Sequence, residues 1–135
     1  MADATIKRID DMETFYDGLV TRARAELGVT SWGMQLFNYP PGFDQYPNHH
    51  HGPSAMDPGQ EELYIPLAGS ASLELNGEEH RLEPGVWARV GMSQLRRLVP
   101  GADGLQCLVI GGTPGKAFVA PAWTELGAAP PQMPE

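Results

Sequence analysis

The sequence predicts an all-β protein, an antiparallel jelly roll or small β-barrel that is preceded by one N-terminal α-helix. Two observations predict the sheet: short segments alternate apolar and polar residues, and Gly and Pro separate them at even spacing. A third observation, the amphipathic periodicity of residues 11–27, predicts the helix. The 135 residues suit one domain whose core needs no disulfide. We therefore expect a single domain over residues 1–135, with the barrel at about 30–120.

The helix is predicted over residues 11–27 because apolar side chains recur there at the spacing of one helix face. Asp10, three residues before Glu13, resembles a capping box, and Gly28 is placed to end the helix. The expected apolar face comprises Met12, Phe15, Tyr16, Leu19, Val20, Ala23 and Leu27. We expect this face to pack on the outside of the barrel.

Short strands are expected after Gly28, and turn residues separate them. The expected strands span residues 32–39, 70–76, 78–82, 86–90, 95–99 and 105–110. Asn76-Gly77 predicts a type I′ hairpin turn, and residues 100–104 predict a second turn. The tail over about 127–135 is expected to be extended or disordered.

Two histidines and one glutamate form a candidate site. Side chains two positions apart on a strand share a face, so His49 and His51 are expected to point inward and His50 outward. With Glu62 from a neighbouring strand they would form a set of two imidazoles and one carboxylate, which leaves coordination positions open on a transition metal. The alternative is a polar loop whose imidazoles lie on the surface.

The surrounding residues resemble the first motif of the cupin family. In the segment Glu62-Leu-Tyr-Ile-Pro-Leu-Ala-Gly69 a glutamate precedes a glycine by seven positions. A His-x-His pair, His49 and His51, lies upstream, and Gly42 precedes that pair. The resemblance implies a cupin barrel in which His49, His51 and Glu62 hold a metal.

The second motif of the family is only partly present. Gly85 and the strand after it match, but Gly91-Met-Ser stands in place of Pro-x-Gly, and Arg96 stands where a third histidine belongs. The resemblance covers about residues 32–112. It implies dioxygenase, isomerase or decarboxylase chemistry without choosing among them, and it implies a homodimer.

Arg96 leaves two arrangements open, because arginine stays protonated and does not bind metals but grips carboxylates. It binds an anionic substrate beside a three-ligand metal, or it pairs with Glu62 and leaves a metal-free binding cup. Gln60 and Tyr64 share a strand face with Glu62 and are candidate substrate contacts. The alternatives are a rim residue for Gln60 and a buried core tyrosine for Tyr64.

The donor set suits iron, manganese, nickel, cobalt or zinc. A protein that binds no metal is the alternative, because Arg96 would repel a cation. We expect a small-molecule-binding protein, in the first instance a divalent-metal-dependent enzyme of the oxygenase or isomerase type. Its substrate would be a small polar or anionic organic molecule. The alternative is a metal-free ligand-binding or sensor protein that has lost catalysis.

Composition excludes several other classes of function. The net charge of −8, from 17 acids against 9 bases, repels phosphate backbones, so we expect no nucleic-acid partner. No apolar run is long enough for a transmembrane helix, and no signal peptide is visible, so a cytoplasmic location without membrane contact is expected. The single cysteine, Cys107, lies in an apolar run and is expected to be a buried structural thiol. A homodimer would also cover the apolar helix face and the exposed strand edges.

Overall fold

The structure is a computed structural model that describes residues 2–46, 49, 51 and 59–132. Within these ranges seven strands form one antiparallel sheet, with one α-helix and two 3-10 turns, Ile9–Asp11 and Ala122–Thr124, beside it. The elements are β1 (Thr14–Phe15), β2 (Val20–Thr21), α1 (Ala23–Leu27), β3 (Gly33–Tyr39), β4 (Glu61–Leu75), β5 (Glu78–Leu82), β6 (Ala88–Val90) and β7 (Arg96–Gly112).

The two long strands, β4 and β7, pair with each other along most of their length. The first half of β4 also pairs with β6, and its second half pairs with β5. The second half of β7 also pairs with β3. Residues from both halves of the sheet belong to one buried apolar cluster, so the two halves face each other across the core. The predicted all-β antiparallel barrel is confirmed.

The sheet changes direction at irregular positions in the long strands. Four residues of β7, 101–104, stand opposite the single residue Ser70 of β4, and Leu67 is an extra residue on β4. The turn predicted over 100–104 is therefore wrong as a strand boundary. It is a bulge inside one continuous strand, because pairing with β4 resumes on both sides. The other predicted turn, Asn76-Gly77, is present, with φ of 52° and 79°.

Gly69 is required where the two long strands cross most closely. Its φ is +74°, and a Cβ at this position would clash with the backbone carbonyl of Gly104. Both the backbone conformation and the space therefore exclude a side chain. This gives a physical reason for the glycine seven residues after Glu62.

We predict that Gly69→Ala lowers the free energy of unfolding by about 3 kcal/mol or more, because it adds a backbone clash to the cost of a positive φ. Gly42→Ala is the matched control, since Gly42 has a φ of +80° and open space around it. We expect the control to cost about 1 kcal/mol. Chemical denaturation of both variants measures the difference, and equal losses would contradict the close approach.

The helix predicted over residues 11–27 is wrong in extent: only Ala23–Leu27 is α-helical. A β-hairpin replaces the earlier part, because Tyr16, Asp17 and Gly18 all adopt positive φ, as hairpin turns rich in Asp and Gly do. Phe15 and Val20 are still buried, and they pair with each other across the hairpin. The predicted helix end is confirmed, since Gly28 is left-handed and its N–H donates to the carbonyls of Arg24 and Ala25.

The C-terminal tail, predicted to be extended or disordered from residue 127, is held against the hairpin over 127–131. Arg22 is buried, and its guanidinium donates to Glu13 and to the carbonyls of Trp123 and Ala128. The Tyr16 hydroxyl donates to the carbonyl of Pro131. The last part of the predicted tail, 133–135, lies outside the described residues.

Two further expectations concern Cys107 and membrane spans. Cys107 is fully buried, and burial raises the pKa of its thiol to about 12, as expected for a structural thiol. Over the described ranges, no helix has the length and apolar character that a membrane crossing needs.

Candidate metal centre

The candidate ligands come from two separate parts of the chain. Backbone hydrogen bonds in both directions join His49 to Arg96 at the start of β7, with N···O distances of 2.9 and 2.8 Å. The His51 N–H donates to the carbonyl of Met92 at 2.6 Å. Glu62 lies in the first half of β4, directly opposite Val90 of β6. The fold therefore places two imidazoles beside the β4 carboxylate.

The structure brings His49, His51 and Glu62 together. One potential ligand atom from each side chain lies within 4.8 Å of the other two. The imidazole centroids of His49 and His51 are 5.2 Å apart, and His51 is only 6% exposed, which argues against a surface loop. His50 lies outside the described residues, so its outward direction remains a prediction.

One oxygen of Glu62 accepts three hydrogen bonds. Oε1 lies 2.9 Å from Arg96 Nη1, 3.0 Å from the Tyr64 hydroxyl and 3.1 Å from His51 Nε2. The first two donors, Arg96 and Tyr64, are fully buried, and the third contact comes from the His51 imidazole, next to that of His49. Glu62 is thus fixed in position before any metal binds.

The charge state of Glu62 follows from these neighbours. Burial alone would raise the pKa of Glu62, but the hydrogen bond to His51 and the nearby His51, Arg96 and His49 together hold the pKa below its ordinary value. The carboxylate is therefore ionised at neutral pH. An ionised carboxylate is the form that binds a metal.

A buried tyrosine pair supports the carboxylate from behind. Tyr64 is fully buried, and its hydroxyl lies 3.1 Å from that of Tyr46. Burial, together with the negative charge of Glu62, raises the pKa of both phenols well above 10, so both stay protonated. Tyr64 is therefore a permanent hydrogen-bond donor to Glu62, and its predicted contact with substrate remains a prediction.

Arg96 forms an ion pair with Glu62, the contact on which the second of the two arrangements depends. Its side chain is fully buried, with Nη1 on Glu62 and Nη2 donating to the carbonyl of Gly91 at 2.6 Å. Among the described residues its Nε has no hydrogen-bond partner. The guanidinium is therefore packed beneath the carboxylate, while its predicted role in orienting substrate remains a prediction.

Gln60 lies against the neighbouring strand. Its Oε1 is 2.6 Å from the point that a Cβ on Gly111 would occupy, and Gly111 pairs with Glu62 across the sheet. The missing side chain of Gly111 thus makes room for Gln60. Its predicted role in binding substrate is still a prediction.

Tyr46 is a neighbour of the candidate site that the sequence did not reveal. It lies three positions before His49, so strict strand alternation would have placed it on the opposite face. Its ring nevertheless packs 5.2 Å from the imidazole of His49, centroid to centroid. No local pattern signals the contact with Tyr64, because it joins two distant parts of the chain.

The three side chains suit a divalent transition metal in type and approximately in position. Nitrogen and carboxylate oxygen ligands lie about 2.0–2.2 Å from zinc, so two ligands of one ion are roughly 3–3.5 Å apart. The separation of 3.1 Å between His51 Nε2 and Glu62 Oε1 is already in this range. The widest of the three separations, up to 4.8 Å, must shorten by about 1.5 Å through side-chain rotation.

Solved structures with a similar chain path include cupins. A cupin protein from Bacteroides fragilis superposes with a TM-score of 0.64 at 19% identity, over 90% of this chain and 93% of that one. A sugar phosphate isomerase from a cupin superfamily, from Silicibacter pomeroyi, gives 0.64 at 23% identity over 82% and 77%. A Photorhabdus luminescens protein gives 0.62 at 18% identity over 84% and 90%. No protein-family model and no curated protein sequence matches the chain.

Proposed function

Since the chain has the cupin fold and brings His49, His51 and Glu62 together, we propose that it binds a divalent transition metal and a small organic molecule at this site. The observation that carries the proposal is the convergence of two imidazoles and an ionised carboxylate inside the barrel. Three protein ligands leave coordination positions open, which is the arrangement of a catalytic rather than a purely structural metal site. The function proposed is that of a metal-dependent enzyme acting on a small polar or anionic substrate, of the oxygenase or isomerase type.

The residues of the chain have separate roles in this proposal. A bound metal supplies a Lewis acid or a centre for oxygen chemistry. His49, His51 and Glu62 hold it, while Arg96 and Tyr64 fix the Glu62 carboxylate from behind through Oε1. Gln60 remains the candidate for a hydrogen bond to the substrate, because the Tyr64 hydroxyl already donates to Glu62.

A metal-free binding protein is the second candidate, and one observation favours it. Arg96 and His51 already satisfy Glu62 Oε1 without a metal. A metal bound through His51 Nε2 must displace the hydrogen bond between His51 and Glu62, because one nitrogen cannot serve both. The competition between metal binding and this hydrogen bond decides between the two candidates.

Elemental analysis and calorimetry of protein purified without an affinity tag test the proposal. We expect about one divalent transition metal per chain, or binding of added zinc(II), manganese(II) or cobalt(II) with a 1:1 stoichiometry. Glu62→Gln keeps the size of the side chain but removes the charge, and we expect it to abolish binding. Glu61→Gln is the matched control, since Glu61 lies on the same strand and is paired with the exposed Arg89. Absence of binding to the wild-type protein would leave the metal-free candidate.

We also propose that the protein is a homodimer. The sheet face opposite the core carries a group of apolar side chains that are only half-buried in the monomer: Met34, Leu63, Ile65, Leu108 and Ile110. A second copy packed on this face would remove them from water. Light scattering at micromolar concentration should give the dimer mass, and the monomer mass would refute the proposal.

A further inference from the structure

The charges fixed at the candidate metal centre do not balance when a divalent ion is added. Among the described residues, Glu62 and Arg96 are the charged side chains that contact each other there, and their charges sum to zero. A divalent ion with neutral imidazoles raises the sum from 0 to +2. With a neutral third histidine at position 96 the same sum would be −1 + 2 = +1. Compared with a histidine at position 96, Arg96 therefore removes one metal ligand and adds one positive charge.

This charge is held in place and shielded from water. Arg96 has no exposed surface, and its two terminal nitrogens are bound to Glu62 and to the carbonyl of Gly91. To reach a substrate directly, the side chain would have to break these hydrogen bonds. Its positive charge therefore acts on the centre through space, and because the side chain is fully buried, water screens this charge poorly.

Uncompensated positive charge in a buried site is costly, and a ligand that carries negative charge removes the cost. We infer that the molecule that completes this centre is an oxyanion, such as a carboxylate, and that Arg96 selects it through its electric field rather than by direct contact. The inference rests on the proposed metal function, because it concerns the ligand at the open coordination positions. In this inference Arg96 does not touch the substrate but favours ligands that carry negative charge.

Cobalt(II)-loaded protein provides the test, because the visible absorption of cobalt(II) reports changes in its ligands directly. The probes are malonate, an anionic chelator with two carboxylates, and malonamide, a neutral molecule of the same shape. We expect malonate to bind the wild-type centre more tightly than malonamide. The ratio of malonate affinity to malonamide affinity should be at least as large for the protein-bound cobalt(II) as for free cobalt(II) in the same buffer. The negative charge of Glu62 alone would lower this ratio, and the positive charge of Arg96 offsets it.

Variants of Arg96 separate charge from shape. We expect Arg96→Gln to weaken malonate binding about 10- to 30-fold, the effect of a unit charge acting over several ångström at an effective dielectric of about 20. Malonamide affinity should stay nearly unchanged. Arg96→Lys retains the charge and should retain most of the malonate affinity. Arg89→Gln is the matched control, since Arg89 is exposed and pairs with Glu61, so its removal should have less than about a twofold effect.

Each outcome supports or overturns the inference. If Arg96→Gln loses malonate and malonamide affinity equally, the shape of the site has changed and the inference is overturned. The inference is also overturned if Arg96→Gln loses affinity for neither molecule. If Arg96→Gln does not fold, as judged by circular dichroism, the wild-type ratio decides alone, and a ratio below that of free cobalt(II) overturns the inference. Failure of the wild-type protein to bind cobalt(II) would overturn the proposed metal function as well.

Discussion

Replacing His51 with alanine is expected to lower the affinity of the protein for a divalent metal by about a hundredfold or more. His51 is one of three candidate ligands, and its Nε2 is already 3.1 Å from Glu62 Oε1. The two remaining ligands do not suffice to hold an ion tightly at neutral pH. Calorimetric titration with zinc(II) or manganese(II) measures the loss.

The matched control for His51→Ala is His80→Ala, because His80 lies on the exposed strand β5, away from the candidate ligands. The control should leave metal affinity unchanged. We expect His51→Ala to cost about 1 kcal/mol of stability, because Glu62 Oε1 keeps its hydrogen bonds from Arg96 and Tyr64. Equal metal affinities of the wild-type protein and His51→Ala would remove His51 from the site.

Arg96→His is expected to raise metal affinity at least about tenfold, by replacing a repelling cation with a third imidazole. The gain is limited because no partner that would orient the new ring is yet in place. The same substitution removes the buried ion pair with Glu62, which costs about 3 kcal/mol in the metal-free protein. Metal should therefore raise the melting temperature of Arg96→His more than that of the wild-type protein.

Titration calorimetry and thermal unfolding, each with and without zinc(II), test this prediction together. Arg97→His is the matched control, since Arg97 is the next residue but is partly exposed and pairs with Glu74. The control should change neither metal affinity nor the effect of zinc(II) on the melting temperature. If Arg96→His binds metal no better than the wild-type protein, position 96 does not face the centre.

Most strands of the barrel after Gly28 could be predicted, because local alternation or a continuous apolar run encodes them. The hairpin over β4 and β5 follows from Asn76-Gly77, and the motif after Glu62 singles out Gly69, although its close approach to Gly104 depends on the tertiary fold. The N-terminal helix could not be placed correctly, because apolar residues at the same positions also suit a hairpin. Asp17-Gly18 is the turn signal that favours the hairpin.

The candidate site was predictable in its ligands but not in its supporting contacts. Strand alternation and the motif around Glu62 identified His49 and His51, and both lie beside Glu62. The sequence left the role of Arg96 open between two arrangements, and the structure shows the pair with Glu62. The hydroxyl of Tyr46 and the carbonyl of Gly91 reach the site only through the tertiary fold, so no local pattern indicates them.

A crystal of the zinc(II)- or manganese(II)-loaded protein, measured at the absorption edge of the metal, tests the central claim most directly. The account predicts one anomalous peak between His49, His51 and Glu62, about 2.0–2.2 Å from a nitrogen of each histidine and from a carboxylate oxygen. Arg96 should remain hydrogen-bonded to Glu62 beneath the metal. The contradictory result is a map without a peak at this position, in which Glu62 still accepts hydrogen bonds from both Arg96 and His51.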